Sequence, residues 1–94
     1  MSKSIVHEPE AHRYAMYLDG ALVSVADYAD NGSVRSFHST FTNPRHRGEG
    51  LAREVVDFAM DDVEQHTDRR VLPMCWYVSD WFEAHPERAA LLSR

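Results

Sequence analysis

Apolar and polar residues alternate with a period of two through the first half of the chain, which is typical of half-buried β-strands. Three runs carry this alternation, at residues 13–18, 21–28 and 33–42. Asp19-Gly20 and Asp30-Asn31-Gly32 separate the runs, and both sequences favour hairpin turns because their central residues tolerate positive φ. Ile5-Val6 indicates a further short strand near the beginning. The first half is therefore predicted to form an antiparallel meander.

The third run, residues 33–42, decides where two chemically active side chains point. Strict alternation places His38 and Thr40 on one face of the strand, and Phe37 and Phe41 on the other. We therefore expect His38 to stand beside Thr40, shortly before the turn that begins at Pro44. A histidine there is suited to act as a general base, and it is equally suited to hydrogen-bond within the sheet.

After that turn the period changes to the period of an amphipathic helix, which is expected to continue to about residue 65. Its predicted apolar stripe consists of Leu51, Val55, Phe58, Ala59 and Val63. The residues expected to face water are Arg53, Glu54, Asp57, Asp61 and Glu64. A short strand is predicted at residues 70–74, and two short helices at about 79–84 and 87–92. Pro86 suits the first turn of the last helix, where no N–H is needed.

These elements predict an α+β fold. Because the long helix connects two strands, the strand at 70–74 is expected to run parallel to the strand at 33–42, by the usual right-handed crossover. The result is an antiparallel strand meander followed by a β-α-β unit, with helices packed on a mixed sheet. We expect the 94 residues to form one domain, residues 1–94, with a modest core.

Composition narrows the partners and the setting. The net charge of −5 argues against a nucleic-acid-binding protein, for which a basic surface is typical. No segment approaches the roughly 20 apolar residues of a membrane span, and none resembles a signal peptide. Cys75 is the only cysteine, which excludes an intrachain disulfide, and a cytoplasmic location is expected. We expect a monomer or a weak dimer.

The most distinctive segment is Arg45-His46-Arg47-Gly48-Glu49-Gly50-Leu51-Ala52, between the third strand and the long helix. Glycines let the backbone approach a ligand closely, and the free amides of a helix N-terminus favour a phosphate or pyrophosphate. Arg45, Arg47 and Arg53 add positive charge. The segment lacks the Gly-Lys-Ser/Thr of a P-loop, and no further glycine follows Gly50 as in a dinucleotide-binding loop. It is therefore predicted to bind a nucleotide-type anion in another way.

Further candidate residues follow the strand at 70–74, because open α/β sheets bind ligands at the carboxyl ends of their strands. Cys75 is either a nucleophilic thiol at the mouth of a crevice or a small buried hydrophobe. Tyr77 is either a proton donor beside it or a core aromatic residue. His85 either contacts a ligand or caps a helix. The six histidines show no metal-binding spacing, so no metal site is expected.

Together these segments resemble the GNAT acetyltransferase superfamily. The turn at residues 45–52 resembles its motif A, Q/R-x-x-G-x-G/A, which binds the pyrophosphate of acetyl-coenzyme A. The chain is similar to the small, single-domain GNAT-like family in three further places: His38 and Thr40, Pro73-Met74-Cys75-Trp76-Tyr77-Val78, and His85-Pro86-Glu87. The resemblance covers about residues 14–92.

The resemblance implies a GNAT fold that uses acetyl-coenzyme A as co-substrate. It implies that the pyrophosphate lies on seven residues of the turn, namely Arg45, Arg47, Gly48, Glu49, Gly50, Leu51 and Ala52. The pantetheine arm is expected to pair with the strand edge at Thr40, Phe41 and Thr42. Cys75 is the family's candidate catalytic residue, and His85 is a candidate contact of the cofactor.

Two features depart from the resemblance. Glu49 places a negative charge beside the expected anion, which weakens binding unless the side chain turns outward. Full-size GNAT enzymes also carry N-terminal helices that help to form the acceptor site, and no such helices are predicted here. An open acceptor cleft is therefore expected.

The favoured function is transfer of an acetyl group from acetyl-coenzyme A to an unidentified amine, either a small molecule or a protein. The amine attacks the thioester directly, with His38, Tyr77 or water accepting its proton, or Cys75 takes the acetyl group first. Strand amides are expected to stabilise the oxyanion. The alternative is a non-catalytic module that binds coenzyme A, its thioesters or another protein. A free nucleotide at the same turn is less favoured, because no P-loop lysine or metal-binding carboxylate accompanies it.

Overall fold

A computed structural model describes residues 2–94 and contains a five-stranded mixed sheet in the order β1-β2-β3-β4-β5. The strands are β1 (Lys3–Glu8), β2 (Arg13–Leu18), β3 (Ala21–Asp30), β4 (Val34–Thr42) and β5 (Arg70–Pro73). The α-helices are α1 (Leu51–His66) and α2 (Trp76–Ala84). Short 3-10 helices lie at Pro9–Ala11, Pro44–His46 and Pro86–Leu92. The first four strands pair antiparallel and β4 pairs parallel with β5, so the predicted α+β architecture is confirmed.

The C-terminal segment differs from its prediction in two respects. Helix α2 begins at Trp76, three residues before the expected start, because Cys75 remains extended and its carbonyl already accepts the Ser79 amide at 3.0 Å. The last segment, Pro86–Leu92, is a 3-10 helix. The early start of α2 places Trp76 and Tyr77 in its first turn, close to the end of β5.

The helices and the sheet share one core. Tyr14, Met16 and Phe37 of the sheet are fully buried against apolar residues of α1. The predicted stripe of α1 is wrong at Phe58, which is 37% exposed and meets the Tyr14 ring edge-on. The fully buried positions of α1 that the stripe missed are Val56 and Met60. The buried face of α1 is thus wider than a single stripe.

Two acidic residues of α1 help to explain why its buried face is wider than predicted, because their carboxylates bind side chains of the C-terminal segment. The Trp81 indole donates to the Asp57 carboxylate at 2.7 Å, and Arg88 lies 3.1 Å from the Asp61 carboxylate. Asp57 is half-buried and binds Trp81, so the prediction that it faces water is wrong. Helix α1 is therefore covered on one side by the sheet and on another by α2 and the last 3-10 helix.

A β-bulge in β4 reverses the faces predicted for its second half. Tyr28 of β3 pairs with Phe37 while Asp27 pairs with Ser39, so His38 is an extra residue in β4. Phe37 is buried, but Phe41 is 51% exposed on the opposite face of the sheet. The expectation that Phe37 shares a face with Phe41, and His38 with Thr40, is therefore wrong.

Strands β4 and β5 separate half-way along β4. They pair only from Val34 to Phe37, opposite Arg70 to Pro73. The Phe37 carbonyl then accepts the backbone amides of both Met74 and Cys75 at 2.9 Å. Beyond that point β4 continues to Thr42 without β5 beside it. This separation leaves a cleft bounded by the free edge of β4, the start of α1 and the start of α2.

The opposite end of the core contains an ionic network around Arg35, for which the sequence had predicted no role. The Arg35 guanidinium donates to the Asp30 carboxylate at 2.7 Å and to the Tyr14 hydroxyl at 2.8 Å, and it lies over the Tyr28 ring. Tyr14 in turn donates to Asp62 of α1 at 2.6 Å. Desolvation of the Asp30 carboxyl is outweighed by hydrogen bonds from the Gly32 amide and two arginines, which lower its pKa to about 2. The network ties α1 to the sheet.

We expect Arg35→Met to lower the free energy of unfolding by about 3 kcal/mol, because it leaves buried polar groups without their cation. Arg35 is only 8% exposed in its side chain. Asp30 keeps Arg69 as a partner, which limits the loss. The measurement is urea unfolding. Arg70→Met removes an arginine that has no ion pair among the described residues and should change stability by less than about 0.5 kcal/mol. Equal effects of the two substitutions would contradict this account.

We expect stability to fall as the pH decreases below about 6.5, in part through His7. Burial lowers the pKa of His7 below its ordinary value, against the attraction of Asp62. At pH values below the ordinary pKa of histidine, the unfolded chain therefore binds a proton at His7 that the folded chain does not bind. His7→Phe should reduce this fall in urea-unfolding experiments at several pH values, while His12→Asn, which changes an exposed histidine, serves as the control. An unchanged pH dependence in His7→Phe would exclude the assignment.

Candidate active site

The turn between β4 and α1 leaves the N-terminus of α1 without a side-chain cap. Gly48 and Gly50 have φ values of +86° and +78°, a region in which a Cβ is disfavoured. Gly50 is the N-cap residue and contributes no side chain, so the first amides of the helix have no capping partner. They form the positive end of a 16-residue helix. This end of α1 can therefore bind an anion.

The N-terminus of α1 opens into a cleft of about 520 Å³. Residues from three segments line it, namely β4, the turn with the start of α1, and the start of α2. They are Thr40, Phe41, Thr42, His46, Arg47, Gly48, Gly50, Leu51, Ala52, Trp76 and Tyr77. The cleft thus brings together nine of the residues that the sequence had singled out, and adds His46 and Trp76.

The charged residues of the turn do not all reach the cleft. Arg47 lines it, whereas Arg45 is exposed outside it. Glu49 is also absent from its lining, and its carboxylate lies 3.4 Å from the His46 ring. The predicted conflict between Glu49 and a bound anion is therefore reduced, because the side chain pairs with a neighbour in the turn. Arg53 lies in the first turn of α1, beside a second hollow.

Cys75 lies beneath the cleft between the separating strands. It is 9% exposed, and its Sγ is 3.7 Å from the Thr40 hydroxyl. The bulge in β4 creates this contact, because it turns Thr40 toward the helices. Cys75 is also the N-cap residue of α2 and makes no side-chain capping bond. The thiol thus lies behind Thr40 and is not among the residues that line the cleft.

The other two candidate catalytic residues occupy different environments. Tyr77 lines the cleft, and burial raises the pKa of its hydroxyl, with Arg53 opposing and Asp57 adding to the effect. It therefore stays protonated at neutral pH and is suited to donate a proton rather than to accept one. His38 is exposed at the bulge and does not line the cleft.

A second hollow of about 200 Å³ adjoins the cleft and shares Trp76 and Tyr77 with it. His85 lies here and not in the cleft. Its ring stacks on Trp81 at 4.2 Å between centroids, and its Nδ1 is 2.7 Å from the Trp81 carbonyl oxygen. Arg53 and Asp80 complete the polar side of the hollow. An aromatic surface beside an arginine is therefore continuous with the site of the helix N-terminus.

Comparison with known proteins assigns this arrangement to a family. The family model described as GCN5-related N-acetyl-transferase matches residues 13–91 of the chain. The chain belongs to the GCN5-related N-acetyltransferase (GNAT) family. The match includes every segment on which the sequence resemblance rested, and the resemblance is confirmed. No curated protein matches the sequence.

Two solved structures are similar to this GNAT chain. One is the ribosomal-protein-alanine N-acetyltransferase of Brucella melitensis biovar Abortus 2308, with a TM-score of 0.57 and 20% identity over 80% of this chain and 58% of that one. The other is a protein of Xanthomonas campestris pv. campestris assigned to the GNAT family, with a TM-score of 0.49 and 25% identity over 87% and 57%. The chain thus spans less than three fifths of each structure. The likeness to the Brucella structure concerns the fold alone.

Sequence reasoning missed two lining residues of this GNAT chain, for different reasons. Trp76 carried no predicted contact, although it belongs to the segment Pro73-Met74-Cys75-Trp76-Tyr77-Val78. It is 74% exposed and lines the cleft. Its position directly after Cys75, ahead of the helical period, was the available signal. His46 belongs to the glycine turn, but its sequence position alone does not show that its ring lines the cleft. Within residues 2–94 no group of side chains is arranged to hold a metal ion, and no helix has the length and apolar character to cross a membrane.

Proposed function

We propose that this GNAT chain binds acetyl-coenzyme A in the cleft and transfers the acetyl group to an amine. The main support is that the uncapped start of α1 and the free edge of β4 border one continuous cleft. The free amides at the start of α1 can bind a diphosphate. The free edge of β4 can pair with the amide groups of an extended arm. Membership of the family supports the same donor.

In this proposal the turn binds the pyrophosphate. The amides of Gly50, Leu51 and Ala52 donate to its oxygens, and Arg47, which lines the cleft, supplies a cation. Gly48 keeps the wall of the cleft free of a side chain. Thr40 to Thr42 offer backbone groups to the pantetheine amides. The thioester then lies toward Thr40 and Cys75, where β4 and β5 separate.

The transfer itself needs a nucleophile and two proton movements. The amine nitrogen attacks the thioester carbonyl carbon, the C–S bond breaks, and coenzyme A leaves as a thiolate. Tyr77, which lines the cleft and stays protonated, would give the thiolate a proton. The proton lost by the amine passes to water or to His38 on the exposed side of the bulge. Backbone amides at the bulge are candidates to stabilise the oxyanion.

A second route passes through Cys75. Its thiol would first take the acetyl group from coenzyme A and then pass it to the amine. The contact between Cys75 Sγ and Thr40 at 3.7 Å favours this route, because Thr40 itself lines the cleft. Its burial favours direct transfer, because a reactive thiolate needs partial exposure. A non-catalytic module that binds coenzyme A is the remaining alternative, because the cleft can bind a donor whether or not a transfer follows.

We expect coenzyme A to raise the melting temperature, since a ligand at 100-fold over its Kd adds about 2.7 kcal/mol. Arg47→Ala should weaken coenzyme A about tenfold, because a charge-assisted hydrogen bond is lost. Calorimetric titration measures both proteins. Arg70→Ala removes the same charge from β5 and is the matched control. Absence of any effect of coenzyme A at millimolar concentration would exclude the donor site.

We expect release of free coenzyme A from acetyl-coenzyme A in the presence of a panel of primary amines, together with a mass increase of the amine by one acetyl group. Cys75→Ala should retain this activity if transfer is direct, and should lose it, along with any acetyl adduct on the protein, if Cys75 carries the group. Mass spectrometry of the amine and of the intact protein separates the two routes. Binding of coenzyme A without transfer to any amine supports the non-catalytic module.

A further inference from the structure

Strand β1 forms one edge of the sheet, and within the described chain no other strand pairs with its outer side. It has six residues, contains no proline and pairs with β2 in one continuous register, so it lacks the usual protection of an edge strand. The opposite edge is protected, because β5 has four residues, ends at Pro73 and contacts the last 3-10 helix. Strand β1 is therefore the edge to which a further strand can be added.

Alternate residues of β1 direct their backbone groups away from β2. The Asp19 amide donates to the Ser2 carbonyl at 2.7 Å, just before the strand begins. An antiparallel ladder bonds every second residue to the same neighbour, so the even-numbered residues of β1 continue this pairing. The odd-numbered residues direct their amides and carbonyls outward. We name these three residues the β1 edge: Lys3, Ile5 and His7.

The side chains of the β1 edge meet a stripe of α1. The Lys3 ammonium lies 2.8 Å from the Glu54 carboxylate, and His7 Nδ1 lies 3.6 Å from the Asp62 carboxylate. Phe58 lies between these two carboxylates at a spacing of four residues, on the same side of the helix, and is 37% exposed. A carboxylate thus stands above each end of the β1 edge, and apolar surface stays in contact with water above its middle.

The backbone of the β1 edge fits a second, antiparallel copy of itself. A two-fold axis at Ile5 sets Ile5 of one copy opposite Ile5 of the other, and Lys3 opposite His7 on both sides of the axis. Each of these pairs can exchange both of its N–H···O bonds, so every outward group of the edge is used. A register shifted to pair Ile5 with His7 would set Lys3 opposite Pro9, which has no amide.

The same register makes the charges of the two copies complementary. Lys3 of each copy lies beside His7 of the other, and therefore near the Asp62 carboxylate that His7 meets. The side chain of Asp62 is 21% exposed, so a lysine can reach it from the surface. The added strand also covers the apolar surface of Ile5, which is only partly buried in the single chain.

We propose that the β1 edge pairs with the β1 edge of a second copy of this chain, and forms a two-fold symmetric dimer with one continuous sheet. A second copy is the partner that fits, because the edge is complementary to itself in backbone register and in charge. The cleft lies at the other end of the sheet, beside β4. The inference therefore does not depend on the proposed function, and both clefts stay open in the dimer.

Sedimentation velocity over a concentration series measures the association. We expect a monomer–dimer equilibrium for the wild type. Ile5→Pro removes the outward amide at the two-fold axis and leaves the bonds to β2 in place, so it should abolish the dimer. Near-ultraviolet circular dichroism shows whether this variant is folded.

A charge variant tests the same surface without a change in the backbone. Lys3→Glu places a carboxylate beside Asp62 of the other copy and should raise the Kd of the dimer about tenfold. Arg70→Glu makes the same change in charge on β5 and is the matched control. It should leave the Kd unchanged.

Disulfide cross-linking tests the register. Ser4 of one copy is expected opposite Val6 of the other in a non-hydrogen-bonded pair, whose Cα atoms are about 4.5 Å apart and within reach of a disulfide. A mixture of Ser4→Cys and Val6→Cys should therefore give a heterodimeric disulfide under mild oxidation, in higher yield than either variant alone. Leu22→Cys, at an exposed position away from the edge, replaces Val6→Cys in the control mixture. Intact-mass spectrometry identifies the products.

The proposal is overturned if the wild type stays monomeric up to about 1 mM, a concentration at which even a weak pair associates. It is also overturned if folded Ile5→Pro still dimerises, or if Lys3→Glu and Arg70→Glu have equal effects on the Kd. Cross-linking of the Ser4→Cys and Val6→Cys mixture at no higher yield than the control mixture would exclude this register and the proposal with it.

Discussion

The carbonyl oxygen of Phe37 accepts two backbone amides, from Met74 and Cys75, and at this point the parallel pairing of β4 and β5 ends. Because the Phe37 carbonyl binds two successive amides, Met74 and Cys75 cannot continue the regular parallel pairing with β4. Strand β5 therefore leaves the sheet and becomes α2. The edge of β4 beyond Phe37 stays free, and the starts of α1 and α2 face each other across the gap. The cleft, the burial of Cys75 and the position of Tyr77 all follow from this separation.

The bulge at His38 is the second determinant, because it decides what each side of β4 presents. It turns Thr40 toward Cys75 and Phe41 toward solvent. A regular strand would bury Phe41 and expose Thr40, and the cleft would lose the polar group beside the thiol. Bulges often occur next to functional sites, since one extra residue redirects every side chain that follows. The ionic network of Arg35 lies on the other side of Phe37, where the strands are fully paired, and it fixes α1 without entering the cleft.

Much of the fold was predictable, because it depends on short-range signals. The alternation of β2, the hairpin residues Asp19-Gly20 and the change of period at Leu51 each act within a few residues, and the structure places these elements where the sequence predicted them. The site was predictable as far as it depends on the glycine turn. The bulge was not predictable, because a run such as Val34–Thr42 can alternate in either of two registers, and packing of Phe37 against Tyr14 selects one. Arg35 was missed for a similar reason, since its partners Asp30 and Tyr14 meet only in the folded chain.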